Sequence, residues 1–151
     1  MAQKYANKIA DCVVKNITHT DYCITLKNFS LWGSEFDVLH LDGLDYLYEY
    51  EIKTSIADYK ADFNKLTSIG SNKHEQIKKG RVNYFYFVFP YNMINADEVP
   101  EYCGVIYYSG NSIEIIREAP LLTKLTSPNR AELSVYMADK INYLSQRKYN
   151  G

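Results

Sequence analysis

Ala6, Ile9, Val13 and Ile17 recur at three- and four-residue intervals, which predicts an amphipathic helix over about residues 3–16 with its apolar stripe turned to a sheet. Residues 23–27 (CITLK) alternate weakly and read as a first strand, followed by a loop through Asn28 and Gly33. Residues 35–41 (EFDVLHL) and 46–53 (YLYEYEIK) read as the second and third strands. Asp42-Gly43-Leu44-Asp45 between them is a turn signal that makes the two a hairpin. Thr54 or Ser55 can cap a helix in which Ile56, Tyr59, Phe63 and Leu66 share a face, and which stops near Ser68 to Gly70.

A polar, lysine-rich stretch, SNKHEQIKKGR, then leads into VNYFYFVF, whose continuous apolar character suits a strand buried on both faces. Pro90 ends it. CGVIYYS and SIEIIRE, split by Gly110-Asn111, predict a further strand pair. Pro128 opens a final helix over about residues 129–146, with Leu133, Tyr136, Met137, Ile141 and Leu144 as its stripe. The predicted order is α-β-β-β-α-β-β-β-α, an α/β (α+β) arrangement in which a mixed sheet is flanked by helices on both faces.

Composition narrows the class. At 151 residues and 46% hydrophobic, the chain is the size of one globular domain spanning residues 1–151. Fifteen tyrosines and six phenylalanines favour a strand-rich interior. Cys12, Cys23 and Cys103 are widely spaced, which argues against a disulfide framework or a thiolate zinc site and for a reducing compartment. No run approaches the roughly 18 consecutive apolar residues of a membrane helix, and the first residues lack the apolar run of a signal peptide. A soluble, cytoplasmic protein without a membrane partner is expected.

The formal charge of −1 hides an asymmetry. Residues 1–52 hold four basic and eight acidic residues, residues 53–81 seven basic and three acidic, and residues 82–151 six and seven. An acidic block followed directly by a basic one is compatible with a metal site beside a phosphate-binding surface, and equally with ordinary solvated faces.

The hairpin gives the acidic block a geometry. Alternation puts Glu49, Glu51 and Lys53 on one face of the third strand, and Glu35 and Asp37 on one face of the second. If the loop is the three residues Gly43 to Asp45, residues whose numbers sum to 88 lie opposite each other, so Asp37 faces Glu51 and Glu35 faces Lys53. Like charges opposed across strands are destabilising unless neutralised, and a divalent cation would neutralise them. Mg²⁺ or Mn²⁺ binds through one or two carboxylates together with substrate phosphate. Asp37 and Glu51 fit that requirement, the backbone carbonyl of Ile52 could add an oxygen, and Glu35 is an accessory candidate. Lys53 would hold or polarise an attacking water and offset charge growing on a phosphate. The competing reading makes these charges cross-strand salt bridges on a solvated face.

Asp37, thirteen intervening residues, and Glu51-Ile52-Lys53 at the end of a hairpin strand resemble the PD-(D/E)XK nuclease superfamily, with Phe36 where proline is most frequent. The run Glu51, Lys53, Ser55, Asp58, Tyr59, Asp62 resembles more closely the MmcB-like group of DNA-repair nucleases, as do NYFYFVFP and VPEYCGVIYYSGNSIEIIREAP downstream. The likeness spans residue 33 to the last helix. It implies a restriction-endonuclease-like core and a Mg²⁺- or Mn²⁺-dependent deoxyribonuclease acting in repair, recombination or phage and host DNA processing. Asp37, Glu51 and Lys53 would be its catalytic set. Two departures stand out. Asp11, the only acid of the first helix, lies away from the apolar stripe and is not expected to be a ligand, and Asn64 stands where the group tends to have lysine, with Lys65 one position later.

Ser55 and Asp58 match a helix capping box, and Ser55, Asp58 and Asp62 are also placed to support the metal ligands from behind. Glu49 reads as a solvated edge charge. Lys60, Lys65, Lys73, Lys78, Lys79 and Arg81 are expected to contact the phosphates of DNA, single-stranded or branched substrates included. His19, His40 and His74 have no mutual ligand spacing, and His40 points away from Asp37. The alternative from another class is a nucleic-acid-binding module on the same fold without turnover. Oligomeric state is left open, a homodimer included.

Overall fold

The computed structural model describes residues 2–17, 23–31, 33–124, 135, 137 and 138. One six-stranded mixed sheet runs in chain order, β1 (Ile24–Leu31), β2 (Ser34–Leu41), β3 (Leu47–Ile52), β4 (Tyr84–Pro90), β5 (Gly104–Ser109) and β6 (Ser112–Arg117). The outer pairs are antiparallel, whereas β3–β4 and β4–β5 are parallel. Helix α1 (Ala2–Asn16) packs Ile9, Ala10, Cys12 and Val13 against one face, with Val38, Tyr50, Ile52, Tyr86 and Val88 beneath it. The other face carries α2 (Ile56–Asp62) and α3 (Lys73–Lys78), with Leu39, Leu47, Phe85, Phe87 and Phe89 below them. The expected layering, a sheet with helices on both faces, is what folds. Most of the last predicted helix lies outside the described residues; Val135, Met137 and Ala138 are helical, and Met137 is fully buried.

The β2–β3 turn obeys the expected register, Val38 opposite Tyr50 through Leu41 opposite Leu47. Asp42 builds it by accepting the N–H groups of Leu44 and Tyr46 at 2.9 Å with Oδ1. Asp45 takes the left-handed backbone, φ 66°, that closes a three-residue hairpin loop. Central β4 has every residue from Phe85 to Phe89 buried, which explains its lack of alternation. Gly104 on β5 lies opposite Tyr86, and a Cβ there would collide with the tyrosine ring. Arg117 fixes the connection from β4 to β5 by donating to the carbonyls of Ala96, Val99, Pro100 and Cys103.

Three expectations need correction. β1 extends to Leu31 rather than stopping at Lys27. Its pairing with β2 is interrupted at Asn28, φ 50°, a backbone state that asparagine tolerates better than most residues. Helix α2 ends at Asp62, and Ile56 and Leu66 are 47% and 66% exposed, so the buried residues are Tyr59 and Asp62, with Phe63 partly buried beside them, instead of the purely apolar stripe. The lysine-rich stretch holds a helix, α3, capped by Asn72, whose side chain accepts the N–H of Glu75 at 3.0 Å. It buries Lys73, His74 and Ile77, a face with one apolar residue and therefore no apolar period to read.

Candidate functional site

β2 and β3 pair up to Val38 and Tyr50 and then part. Where the next rung would be, Asp37 Oδ2 accepts the backbone N–H of Ile52 at 2.8 Å, so a side chain substitutes for a strand. The divergence opens a cleft of about 310 Å³ outside the carboxyl end of β3, where α/β sheets place their ligands. Asp37, Glu51, Ile52 and Lys53 line it, with Asp58 and Lys65 on the α2 side and the start of α1 opposite.

Behind this surface lies a buried ionic cluster. Lys53 Nζ sits 3.1 Å from Glu51 Oε1 and 2.9 Å from Asp62 Oδ1. Lys73 Nζ reaches the same two oxygens, at 3.3 and 2.9 Å. Asp62 Oδ2 pairs with His74 Nε2 at 2.6 Å, and His74 Nδ1 with the Tyr102 hydroxyl at 2.8 Å. Burial opposes ionisation of Asp62, but His74, Lys73 and Lys53 outweigh it and hold the carboxyl well below the usual carboxylate range. Burial likewise disfavours the charge on Lys53, but Glu51 and Asp62 reverse that and hold the ammonium above its ordinary value. Lys53 is therefore a fixed positive charge.

Two features set this site apart, the first an exception to the rule that buried polar groups are satisfied. Glu51 Oε2 is buried without a hydrogen-bond partner among the described residues. Burial, and then the neighbouring charge of Glu51, push the Asp37 carboxyl from 3.8 up to about 7, against the opposing pull of the Ile52 N–H, Lys53 and Lys73. A cation held by the two carboxylates would relieve both features. A pair of carboxylates fits Mg²⁺ or Mn²⁺, which is completed by waters and substrate oxygens, better than a metal needing a full protein cage. No cluster of three or more His, Cys, Asp or Glu side chains suited to a metal occurs among the described residues.

The structure thus brings Asp37, Glu51, Ile52, Lys53, Asp58 and Lys65 to one cleft. Ser55 stands behind it as the N-cap of α2, accepting the Asp58 N–H at 3.1 Å. The expectations for Glu35, Glu49, Lys73 and Arg81 fail. Glu35 is exposed and pairs with Ser30 rather than facing Lys53, because the β2–β3 ladder has ended before reaching it. Glu49 is no edge charge but fully buried, gripped by Arg81 through both oxygens at 2.7 to 3.2 Å. Arg81, engaged with Glu49, Ser34 and Gln76, and Lys73, buried in the cluster, are not surface phosphate contacts. Lys60, Lys65, Lys78 and Lys79 are exposed. Asp11 pairs with Lys27 on the surface, outside the cleft. His40 is buried with Thr25 and Tyr48; His19 lies outside the described residues.

Sequence reasoning placed Lys73 on the DNA-facing surface, gave His74 no role and did not single out Tyr102, so it missed all three as members of the buried cluster. A signal for the first two was present, since Asn72 followed three residues later by Glu75 is a helix-start pattern. Nothing marked Tyr102, which meets His74 only through the tertiary fold.

No helix among the described residues is long and apolar enough to cross a membrane. Neither a family model nor a curated protein matches the chain. Among solved structures it is similar to the SPO1766 protein of unknown function from Silicibacter pomeroyi, at 19% identity and a TM-score of 0.66, over 97% of this chain and 90% of that one. Likeness at that identity establishes the α+β fold with its six-stranded mixed sheet and leaves function to the site.

Proposed function

We propose that the chain is a Mg²⁺- or Mn²⁺-dependent nuclease that hydrolyses DNA phosphodiester bonds in the cleft outside β3. The observation that carries this reading is the buried Glu51 Oε2, without a partner among the described residues, in a cleft shared with Asp37. Asp37 and Glu51 would hold the cation, with the Ile52 carbonyl as a further oxygen. A divalent ion held there would supply an activated water and positive charge for the phosphate. Lys53, its proton held by Glu51 and Asp62, stabilises negative charge that grows on the phosphate rather than accepting a proton. Exposed Lys60, Lys65, Lys78 and Lys79 supply salt-dependent contacts to the DNA backbone, which position the strand without reading its sequence.

The test is cleavage of single-stranded, duplex and branched DNA with Mn²⁺ or Mg²⁺ by wild type, Asp37→Ala and Lys53→Ala. Each variant is expected to lose activity by roughly 10²–10³-fold, the range for removing one preorganised electrostatic group. If both variants cut as well as wild type, the site is misassigned. DNA binding that ignores the metal, with no product, would make the chain a nucleic-acid-binding module without turnover.

A further inference from the structure

Lys53 follows β3 and Lys73 opens α3, yet each ammonium bridges the same two oxygens, Glu51 Oε1 and Asp62 Oδ1. Asp62 comes from α2, is fully buried, and has its second oxygen engaged by His74. It lies behind the cleft and both its oxygens are taken, so it is not itself a cation ligand. What needs a cause is the asymmetry of Glu51. A carboxylate beside two ammonium groups ordinarily accepts from them with both oxygens, because charge-assisted hydrogen bonds are the strong ones. Here both ammoniums converge on Oε1, and Oε2 is left buried without a partner among the described residues.

We propose that Asp62 is the positioning residue of this site: by anchoring Lys53 and Lys73 on one oxygen, it confines both to the Oε1 side of Glu51 and keeps Oε2 free for the cleft. The functional meaning of this role rests on the nuclease reading, whereas its geometry does not. Asp62 also sets the local charge. Glu51 and Asp62 together balance the two buried ammoniums of Lys53 and Lys73, while Lys65, 3.6 Å from Asp62 Oδ1, keeps its ammonium exposed to solvent. Without Asp62 the two ammoniums would face Glu51 alone, draw both its oxygens in, and leave one positive charge uncompensated.

The two partners of this arrangement predict effects of opposite sign. Asp62→Asn keeps size and an acceptor oxygen but removes the charge, and is expected to weaken Mn²⁺ binding, measured by calorimetric titration with Mn²⁺ alone, by roughly tenfold or more. Lys73→Met removes one competing ammonium and is expected to tighten Mn²⁺ binding by roughly two- to fivefold. A merely structural cluster would weaken binding in both variants, and that result would overturn the proposal. A metal-free crystal structure of Asp62→Asn supplies the second readout, with Glu51 Oε2 expected to have turned onto Lys53 or Lys73. An unchanged, partnerless Oε2 would also overturn it. Should Asp62→Asn not fold, Lys73→Met decides by its sign. Should the wild type bind no Mn²⁺ with or without DNA, the nuclease reading fails, while the crystal comparison still tests the role of Asp62.

Discussion

Glu49 and Glu51 are two residues apart on one strand, face the same side of the sheet and are both buried, yet they end in opposite situations. Glu49 is closed off: Arg81 takes both its oxygens, and Ser34 and Gln76 engage the guanidinium further. Glu51 shares two lysines with Asp62 and keeps one oxygen, unpartnered among the described residues, at a cleft. The difference follows from what covers each residue. Arg81 folds over Glu49 from the approach to β4, whereas β2 has already parted from β3 beside Glu51. Burial of a carboxylate is thus no mark of function by itself; the informative property is whether its hydrogen bonds are complete.

The largest effect on stability is expected on the closed side. Arg81→Met leaves Glu49 buried without its partner, and breaking a buried pair in this way costs about 3–5 kcal/mol. Urea unfolding should show that loss, and the double variant Glu49→Gln, Arg81→Met should recover much of it, since a neutral amide replaces the stranded charge. Mn²⁺ affinity of any folded fraction should remain near wild type. Equal damage to Mn²⁺ binding would mean that the two clusters form a single unit, and the contrast between them would be lost.

A smaller effect, of opposite sign, is expected on the open side. Below about pH 3 Asp37 is protonated in the folded and the unfolded chain alike. As pH rises from 3.8 to about 7, the unfolded chain releases that proton while the folded chain retains it, so metal-free stability falls through this window. Asp37→Asn cannot release a proton and keeps an oxygen for the Ile52 N–H. It should therefore be more stable than metal-free wild type by roughly 1–3 kcal/mol at about pH 8 and nearly equal to it at about pH 4. Added Mn²⁺ should stabilise the wild type and leave the variant unchanged. A variant less stable than wild type at about pH 8 would show that Asp37 is a satisfied structural carboxylate like Glu49.

Much of this contrast was open to reading from the sequence, and its missing parts have physical causes. The strands, their hairpin and the 88-sum register are local, set by alternation and by Asp42 at the turn, so the approach of Asp37 to Glu51 could be inferred. Whether a charged side chain on a strand is solvated depends on what lies over it. Glu49 and Arg81 are thirty-two residues apart in the chain, and their meeting requires the β3–β4 crossover to be in place. The same crossover brings Lys73 to Asp62 through a tight return in which Thr67 N–H donates to the Ser71 carbonyl at 2.7 Å and Lys73 N–H to the Lys65 carbonyl at 3.0 Å. A run of lysines reads as surface in the sequence because nothing local announces a buried acid as partner. The register expectation failed at Glu35 for a related reason: counting assumes a straight ladder, and the pairing breaks beside Asn28 and Asp37.

The smallest expected effect concerns the element that serves one cluster and not the other. Helix α2 supplies Asp62 to the open site and contributes nothing to the Glu49–Arg81 pair. Its first turn depends on Ser55, whose hydroxyl accepts the Asp58 N–H, and with seven residues the helix has little propensity of its own to fall back on. Ser55→Ala should cost about 1 kcal/mol, the usual loss for an N-cap. That loss should be local: faster hydrogen exchange across α2, Mn²⁺ binding weaker by roughly two- to fivefold as the anchor of the two lysines loosens, and unchanged protection in the strand carrying Glu49. If protection fell equally in α2 and in β3, the cap would report on global stability alone, and the independence of the open cluster from the closed one would have to be abandoned.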